Sequence, residues 1–434
     1  MPLTTNDYTT LNATLSQLLS QFDLNQKTGG CSLTIFHQDQ AVCQLAHGVA
    51  SFDNGKPSAW QTDTLALNFS TGKGVLVTLV HVLVSQGLLD YDAPIASYWS
   101  DFAQNGKQAI TLRQVLSHEA NLFAITDVTQ EATDMLNWQS MLTKVAAMPI
   151  STIAQPMSAG DKVGQTKPVA YSALVSGWIL GGLIETVAQQ PLQQVLEQFL
   201  LQPLGIKGQV YIGVPSNKVN QIAGQMREKA THTKPILLED TQATLAFYRS
   251  LPFYTDWQTK TDQSLNTQTI NQLYFAPKRI NIQTYKASLV PAGSRNFNYY
   301  DPVSLQAKMP AVNCVASSHA LAVIYAMLAN GGQWQDNVII QPKVFSQLSN
   351  LQNQQFDQVM PAQMNWRLGY HRVVSLFHDT TTAFGHLGYN GSMAWCDPQR
   401  KLSVAFVHNY DVTMLTDIRQ FILNETILAF FEKL

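Results

Sequence analysis

The sequence predicts an α+β fold in which an antiparallel β-sheet is flanked by N- and C-terminal helices, an α/β sandwich with a mostly helical insertion. Three observations support this prediction: strand-like segments occur near both termini, helical stretches lie between them, and a helix begins and ends the chain. A sheet built from both chain ends explains this order. We therefore assign residues 1–95 and 309–434 to the sandwich domain, and residues 96–308 to a helical insertion domain.

The N-terminal elements follow from short sequence patterns. Five apolar residues lie on one helical stripe and predict a first amphipathic helix: Leu11, Leu15, Leu18, Leu19 and Phe22. The stretch "CSLTIFHQDQAVCQLAHGVAS" is typical of two strands around a turn at residues 38–40. An apolar helix follows around Ser70, and we expect it to end near Gly87.

The periodicity of the remaining sequence differs between three successive parts of the chain. Residues 96–205 are largely helical in pattern, whereas residues 208–308 have weak periodicity and several prolines. A segment that long without clear elements is often a functional cover over a site. Near the C-terminus, "HALAVIYAMLANGG" predicts a helix closed by glycine, "GSMAWCDPQRKLSVAFVHN" a hairpin turning at "DPQR", and "TDIRQFILNETILAFFEKL" a final helix.

Composition excludes several classes of partner. The net charge is -2, so neither nucleic acid nor an anionic membrane is an expected partner. The longest apolar stretch, residues 74–89, is too short and too polar to span a bilayer. Four scattered cysteines lack metal-ligand spacing, so we expect free, buried thiols, and no metal or cofactor. The oligomeric state is left open.

The first residues bear on localisation. The stretch "MPLTTNDYTTLNATLSQLL" lacks a basic n-region, an apolar h-region and a small-residue cleavage site. These are the features of a secretory signal. We therefore expect a cytoplasmic protein, or a periplasmic one if a leader has been removed.

The stretch "NFSTGKGVLVTLVH" contains the chain's strongest catalytic signal. Ser70 and Lys73 would share one face near the start of a helix. Serine needs an adjacent base to act as a nucleophile, and burial in an apolar environment lowers a lysine pKa from roughly 10.4. The pair therefore predicts Ser-Lys nucleophilic catalysis. The spacing alone leaves a second interpretation open, in which Ser70 is a helix N-cap and Lys73 is solvated, because about one such match arises by chance in a chain this long.

Two later segments strengthen the catalytic interpretation because they follow the Ser70–Lys73 pair in a specific order along the chain. Tyr171 stands just before the predicted helix in "PVAYSALVSGWILGGLIE", where its phenol could reach another helix end. Glycines flank His386 at the start of a strand in "FGHLGYNGSMAW", which allows close backbone approach.

The ordered set of motifs resembles the serine β-lactamase and penicillin-binding-protein superfamily. It is most similar to the class C-like enzymes and the family VIII carboxylesterases. "FSTGKGVLVTLVHVLVSQGLLDYDAPI", "ITLRQVLSHEANL", "YSALVSGWILGGLIE", "LLQPLGI" and "GHLGYNGS" occur in the family's order across nearly the whole chain. The resemblance implies a β-lactamase/DD-peptidase-like fold and acyl-enzyme chemistry without a cofactor.

The resemblance also implies roles for individual residues. Ser70 would be the nucleophile, Lys73 its activator, and Tyr171 the base or proton shuttle. The backbone N–H groups of Ser70 and Tyr389 would form the oxyanion hole. "HLG" at residues 386–388 would replace the family's Lys-Thr-Gly motif.

Three departures from the family pattern affect the expected substrate. Ala173 stands where β-lactamases have an asparagine that contacts the acylamino group, and His386 replaces a permanently charged lysine. The changes at Ala173 and His386 favour a neutral small-molecule ester over a β-lactam. Ala173, His386 and Gly388 are the expected substrate-binding positions. Residues 119–121, "EAN", replace the usual Thr-Ser-Gly.

The resemblance predicts a serine hydrolase that cleaves carboxylic esters. Three alternatives remain open. The same residues could serve a class C-like β-lactamase or a D-amino-acid peptidase. An alcohol or amine could replace water, which would make the protein an acyltransferase. A catalytically inactive binding module is the remaining alternative.

Overall fold

A seven-stranded antiparallel sheet organises the structure, a computed structural model that describes residues 5–432 except 23–28, 54–55, 152–167, 227–241, 262–264, 266, 415–416 and 418. The described strands are β1 (Gly30–His37), β2 (Gln40–Asp53), β3 (Lys56–Ala59), β4 (Ala66–Leu67), β5 (Val210–Ile212), β6 (Cys314–Ala316), β7 (Gln333–Trp334), β8 (Asn337–Val338), β9 (His371–Arg372), β10 (Phe384–Leu387), β11 (Met393–Asp397) and β12 (Leu402–His408). The large sheet has the order β3-β2-β1-β12-β11-β10-β9, and β4-β6-β5 form a small second sheet.

Helices cover both faces of the large sheet. The described α-helices are α1 (Thr5–Ser20), α2 (Lys73–Ser85), α3 (Leu112–Leu116), α4 (Trp138–Ala147), α5 (Val175–Ala188), α6 (Leu192–Leu196), α7 (Gln242–Ser250), α8 (Pro252–Lys260), α9 (Thr267–Tyr274), α10 (Ile282–Leu289), α11 (Pro302–Gln306), α12 (Ser318–Ala329), α13 (Pro342–Ser349) and α14 (Arg419–Phe431). Within the described part of the chain, no helix is both long enough and apolar enough to cross a bilayer.

The sheet joins the two ends of the chain, as predicted. Strand β1 pairs antiparallel with β12, with Leu33 opposite Phe406, and β1 also pairs with β2 through the predicted hairpin. Strands β11 and β12 form the second predicted hairpin. These pairings confirm the predicted α+β fold.

Alternation along the strands gives the sheet two apolar faces. Leu33 and Phe406 pack with α1 and α14, where the predicted stripe of the first helix is buried. Ala405 and Val407 belong to a larger core on the opposite face, which includes α2, α5 and α12. Because that core contains helices from both predicted domains, the domain division remains a prediction. The four cysteines are buried, and none of them forms a disulfide in the described structure.

Residues 208–308 contain more regular structure than the sequence suggests. Helices α7 to α10 span only eight or nine residues each. Such short helices contribute few turns, so their periodicity is weak in sequence. Residues 227–241, 262–264 and 266 of this segment lie outside the described residues, as do residues 152–167 of the predicted helical insertion.

Candidate active site

Ser70 and Lys73 are in direct contact. Ser70 lies in a 3₁₀ turn over Phe69–Gly72, and α2 begins at Lys73 rather than at the serine. The Lys73 Nζ atom lies 2.7 Å from Ser70 Oγ and donates to the Ala311 carbonyl at 2.8 Å. Lys73 is buried, and this burial lowers the pKa of its amine to about 7. A substantial fraction of the amine is therefore unprotonated at neutral pH, as a proton acceptor must be.

The residue before Ser70 has an unusual backbone conformation. Phe69 has φ 46°, in the left-handed region that bulky residues rarely adopt. Its ring makes edge contacts with Tyr299 and Tyr389, at centroid distances of 5.5 and 5.7 Å. Such a conformation costs on the order of 1–3 kcal/mol and persists only where surrounding contacts hold it. The aromatic contacts therefore help to fix the turn that presents Ser70.

Gly72 lets this turn lie against the small sheet. A Cβ atom at Gly72 would lie 2.0 Å from Cys314 Cβ in β6. Only glycine permits so close an approach.

Tyr171 approaches the same pair from the helical region. Its phenol forms a hydrogen bond with Ser70, and Lys73 Nζ lies 5.5 Å from the centre of its ring. Burial raises the pKa of Tyr171 well above its ordinary value, while the hydrogen bond with Ser70 opposes that rise. The phenol is therefore neutral at pH 7, so it can pass on its own proton as it takes another and can serve as a proton shuttle. The structure thus brings Ser70, Lys73 and Tyr171 together.

A buried carboxylate holds the Tyr171 backbone in place. Asp357 Oδ1 accepts from the Tyr171 N–H at 3.2 Å and from the N–H groups of Val359 and Met360 at 2.8 and 3.0 Å. Its Oδ2 accepts from the Trp366 indole at 2.9 Å. Sequence analysis missed this residue, because no motif links Asp357 to a tyrosine that lies 186 positions earlier.

Two rings pack around the Tyr171 side chain. The Trp366 ring lies 5.2 Å away and the His118 ring 5.1 Å away, measured between centroids. His118 Nδ1 also accepts from the Ser172 N–H, and the His118 carbonyl accepts from the Ala170 N–H at 3.0 Å. Burial is the main cause that lowers the pKa of His118 to about 3, so its ring is neutral. His118 therefore supports the Tyr171 segment through both its side chain and its backbone.

The departure at residues 119–121 has a physical explanation. Asn121 has φ 56°, a left-handed conformation that glycine adopts freely and that asparagine tolerates best among residues with side chains. Its side-chain amide donates to the Ser151 carbonyl. Glu119 accepts from the Asn353 side chain at 2.9 Å. Asn121 thus adopts a backbone conformation that is also open to glycine, the residue usual in the family.

The turn after β10 is tied to the Ser70 turn. The Ser392 hydroxyl lies within hydrogen-bonding distance of the Asn68 carbonyl, and Thr71 Oγ1 donates to the Ser392 carbonyl at 2.9 Å. Asn390 donates to the Leu67 carbonyl at 3.3 Å. A Cβ atom at Gly388 would lie 2.6 Å from the Asn68 carbonyl oxygen, so glycine is needed for this approach.

Two backbone donors in these turns are free. Among the residues that the structure describes, the N–H groups of Ser70 and Tyr389 have no hydrogen-bond acceptor. The Tyr389 side chain is 55% exposed, at the open side of the turn. The two N–H groups are available to a ligand atom.

The predicted substrate-binding residues are buried. His386 is 3% exposed, and its Nε2 donates to the Gly369 carbonyl at 2.6 Å. Burial, together with His371 and Lys73, lowers the pKa of His386 well below its ordinary value, so the ring is uncharged. Ala173 is fully buried, and its N–H donates to Ser288. Substrate contact by His386, Gly388 and Ala173 remains a prediction.

The described residues contain no cluster of three or more histidine, cysteine, aspartate or glutamate side chains that could hold a metal ion.

Comparisons with known proteins identify the family and the fold of the chain. A sequence profile of the Beta-lactamase family matches residues 15–424. The Esterase/beta-lactamase LipL of Mycobacterium tuberculosis is 28% identical over 385 residues, 88% of this chain and 78% of LipL. A penicillin-binding protein homologue from Caulobacter crescentus has a TM-score of 0.73 at 25% identity, covering 97% of each chain. A family VIII carboxylesterase has a TM-score of 0.72 at 23% identity, covering 98% of each chain. The predicted β-lactamase-like fold is confirmed.

The bond between Asp357 and Trp366 can be tested by a double-mutant cycle. In Asp357→Asn, an amide donor would face the indole N–H, which should lower the free energy of unfolding by about 1–3 kcal/mol. Trp366→Phe removes the indole donor. The double variant should therefore lose less stability than the sum of the two single variants, by about 1–2 kcal/mol, as measured by urea unfolding.

The matched control for this cycle is Trp395→Phe, whose indole donates to Asn424 instead. Asp357→Asn combined with Trp395→Phe should be additive. If the Trp366 cycle were additive as well, the result would contradict the bond between Asp357 and Trp366 through which the Tyr171 segment is anchored.

Proposed function

Because the chain belongs to the beta-lactamase family, we propose that it is a serine hydrolase that cleaves carboxylic esters through an acyl-enzyme formed on Ser70. The observation that carries this proposal is the 2.7 Å contact between the buried Lys73 amine and the Ser70 hydroxyl. Exposed lysines are protonated at neutral pH, whereas this amine can take a proton from serine.

Acylation uses groups that are already in place. Lys73 removes the Ser70 proton as Oγ attacks the ester carbonyl, and the carbonyl oxygen becomes an oxyanion. The free N–H groups of Ser70 and Tyr389 would donate to that oxyanion, and one such donor typically contributes about 3 kcal/mol to transition-state stabilisation. The Ala311 carbonyl keeps the Lys73 amine oriented throughout this step.

Collapse of the tetrahedral intermediate breaks the bond to the alcohol. The leaving oxygen takes a proton from Tyr171, whose phenol is hydrogen-bonded to Ser70. The Lys73 ammonium then gives a proton back to Tyr171. Water then attacks the acyl-enzyme, with the same groups acting in reverse, and releases the carboxylic acid. The alternative assignment, in which Tyr171 takes the serine proton first, would require a phenolate, which the raised pKa of Tyr171 disfavours.

The surroundings of Ser70 favour neutral esters. A β-lactam carries a carboxylate, and the uncharged, buried His386 offers it no permanent cation. Ala173 offers no side-chain amide to an acylamino group. A relative whose name includes both activities, the Esterase/beta-lactamase LipL, keeps β-lactam hydrolysis as the second candidate function.

Covalent labelling tests the nucleophile. A fluorophosphonate probe should label the wild type and the control Ser346→Ala, which changes an exposed serine in α13, but not Ser70→Ala. The readout is intact-protein mass spectrometry. An unlabelled wild type, with correct folding, would favour an inactive binding module.

Substrate class is tested by comparing a short-chain nitrophenyl ester with nitrocefin. We expect kcat/KM for the ester to exceed that for nitrocefin, and both activities to vanish in Ser70→Ala. A larger value for nitrocefin would make the protein a β-lactamase.

The pH dependence tests the role of Lys73. An amine acts as a base only above its pKa, so kcat/KM should fall as pH drops below about 7. Lys73→Ala should lower kcat by roughly 10²–10⁴-fold, whereas Lys343→Ala, at an exposed lysine, should leave the profile unchanged. A pH-independent rate between pH 6 and 8 would argue against a neutral-amine base.

Tyr171→Phe keeps the ring and removes only the hydroxyl. It should lower kcat by roughly 10²–10⁴-fold, because the proton route is lost, while the ring contacts with Trp366 and His118 persist. Thermal unfolding should therefore change little. Wild-type kcat in this variant would remove Tyr171 from the mechanism.

A further inference from the structure

A second cavity lies beside the sheet edge, on the side of α14. It has a volume of about 50 Å³, is partly open to solvent, and is lined by residues of β9, β10, β11, α9 and α14. A single water needs roughly 10–15 Å³ measured in this way. The cavity therefore has room for several non-hydrogen atoms.

The walls of this cavity are mostly apolar. They include one face of the sheet and the helices that pack on it, with the side chains of Ile270, Phe275, Leu387, Met393, Trp395 and Phe421. An apolar pocket with a few polar groups is the usual form of a small-molecule site.

Two hydrogen-bond donors in the lining lack partners among the described residues. The Arg372 guanidinium forms no salt bridge or hydrogen bond with any residue that the structure describes, although burial lowers the pKa of this group. The Tyr274 hydroxyl is buried and has no hydrogen-bond partner either. Arg372 is only partly buried, whereas a buried hydroxyl such as that of Tyr274 is normally bonded. Both groups are therefore available to a bound ligand.

Most other polar groups of the lining have a partner, although His386 Nδ1 has none among the described residues. Asp417 Oδ1 is paired with Arg419 at 2.9 Å, whereas Asp417 Oδ2 is buried and has no hydrogen-bond partner in the described part of the chain. Asn424 accepts from the Trp395 indole at 2.9 Å. His371 also lines the cavity, and its Nε2 accepts a hydrogen bond from the Leu387 N–H. Among the described residues, Arg372 thus has no directly bonded carboxylate in this mostly apolar pocket.

We propose that this cavity is a binding site for a short-chain carboxylate. The carboxylate would accept paired hydrogen bonds from the planar Arg372 guanidinium and a third from the Tyr274 hydroxyl. Its alkyl chain would lie against Trp395, Met393 and Phe421. The acid released by ester hydrolysis is a ligand of this class if the proposed function holds, but binding itself does not require turnover.

The experiment titrates butyrate into Ser70→Ala, with butyramide as the neutral isostere, by isothermal titration calorimetry. Because this variant cannot turn over an ester, the result is independent of the proposed hydrolase activity. Butyrate should bind with Kd on the order of 1 mM, and butyramide at least tenfold more weakly. Equal binding of the two, or no binding of butyrate, would overturn the proposal.

Substitutions then locate the site. Arg372→Met in the Ser70→Ala background should weaken butyrate binding at least tenfold, Arg372→Lys less, and Tyr274→Phe about threefold, if one hydrogen bond is lost. Arg249→Met, an exposed arginine in α7 outside the lining, is the matched control and should bind as the parent does. Unchanged butyrate binding in both Arg372 variants would refute the assignment. If Arg372→Met fails to fold, Arg372→Lys and Tyr274→Phe decide the question, since neither creates a cavity.

Discussion

The hydrogen bond between a buried lysine amine and a serine hydroxyl is the constraint on which the site depends. Lys73 is removed from water by the apolar core around α2, and its pKa falls from 10.5 to about 7. A change of that size corresponds to on the order of 5 kcal/mol. The energy comes from burial, so the core that stabilises the fold also determines the protonation of the base.

This constraint explains features that lie outside the Ser-Lys pair. The amine needs an oriented acceptor, which the Ala311 carbonyl supplies. The serine needs a fixed turn, which Phe69 and Gly72 define through a left-handed conformation and a close approach to β6. The turn after β10 is hydrogen-bonded to the Ser70 turn, so two free N–H groups are held on one rigid support. Preorganised donors are the largest electrostatic contribution in many enzymes.

Much of the fold and the reactive pair could be predicted from local sequence. The hairpins and terminal helices have strong periodicity, and Ser70 and Lys73 are only three residues apart. The resemblance to a known family supplied Tyr171. The anchors of Tyr171 could not be found this way, because Asp357 and Trp366 meet it only through tertiary packing. The burial of His386 was equally hidden, since a sequence does not reveal which carbonyl a ring will reach. The short helices in residues 208–308 were not predicted, because helices of eight or nine residues have too few turns to give a clear periodicity.

The central claim is that the Lys73 amine is largely neutral beside Ser70 at physiological pH. It is tested most directly by NMR titration of protein labelled with ¹³C at lysine Cε, with Lys73 assigned by comparison with Lys73→Ala. The account predicts one lysine signal that titrates near pH 7, well apart from the exposed lysines. A Lys73 signal that titrates with the exposed lysines, above pH 10, would contradict it.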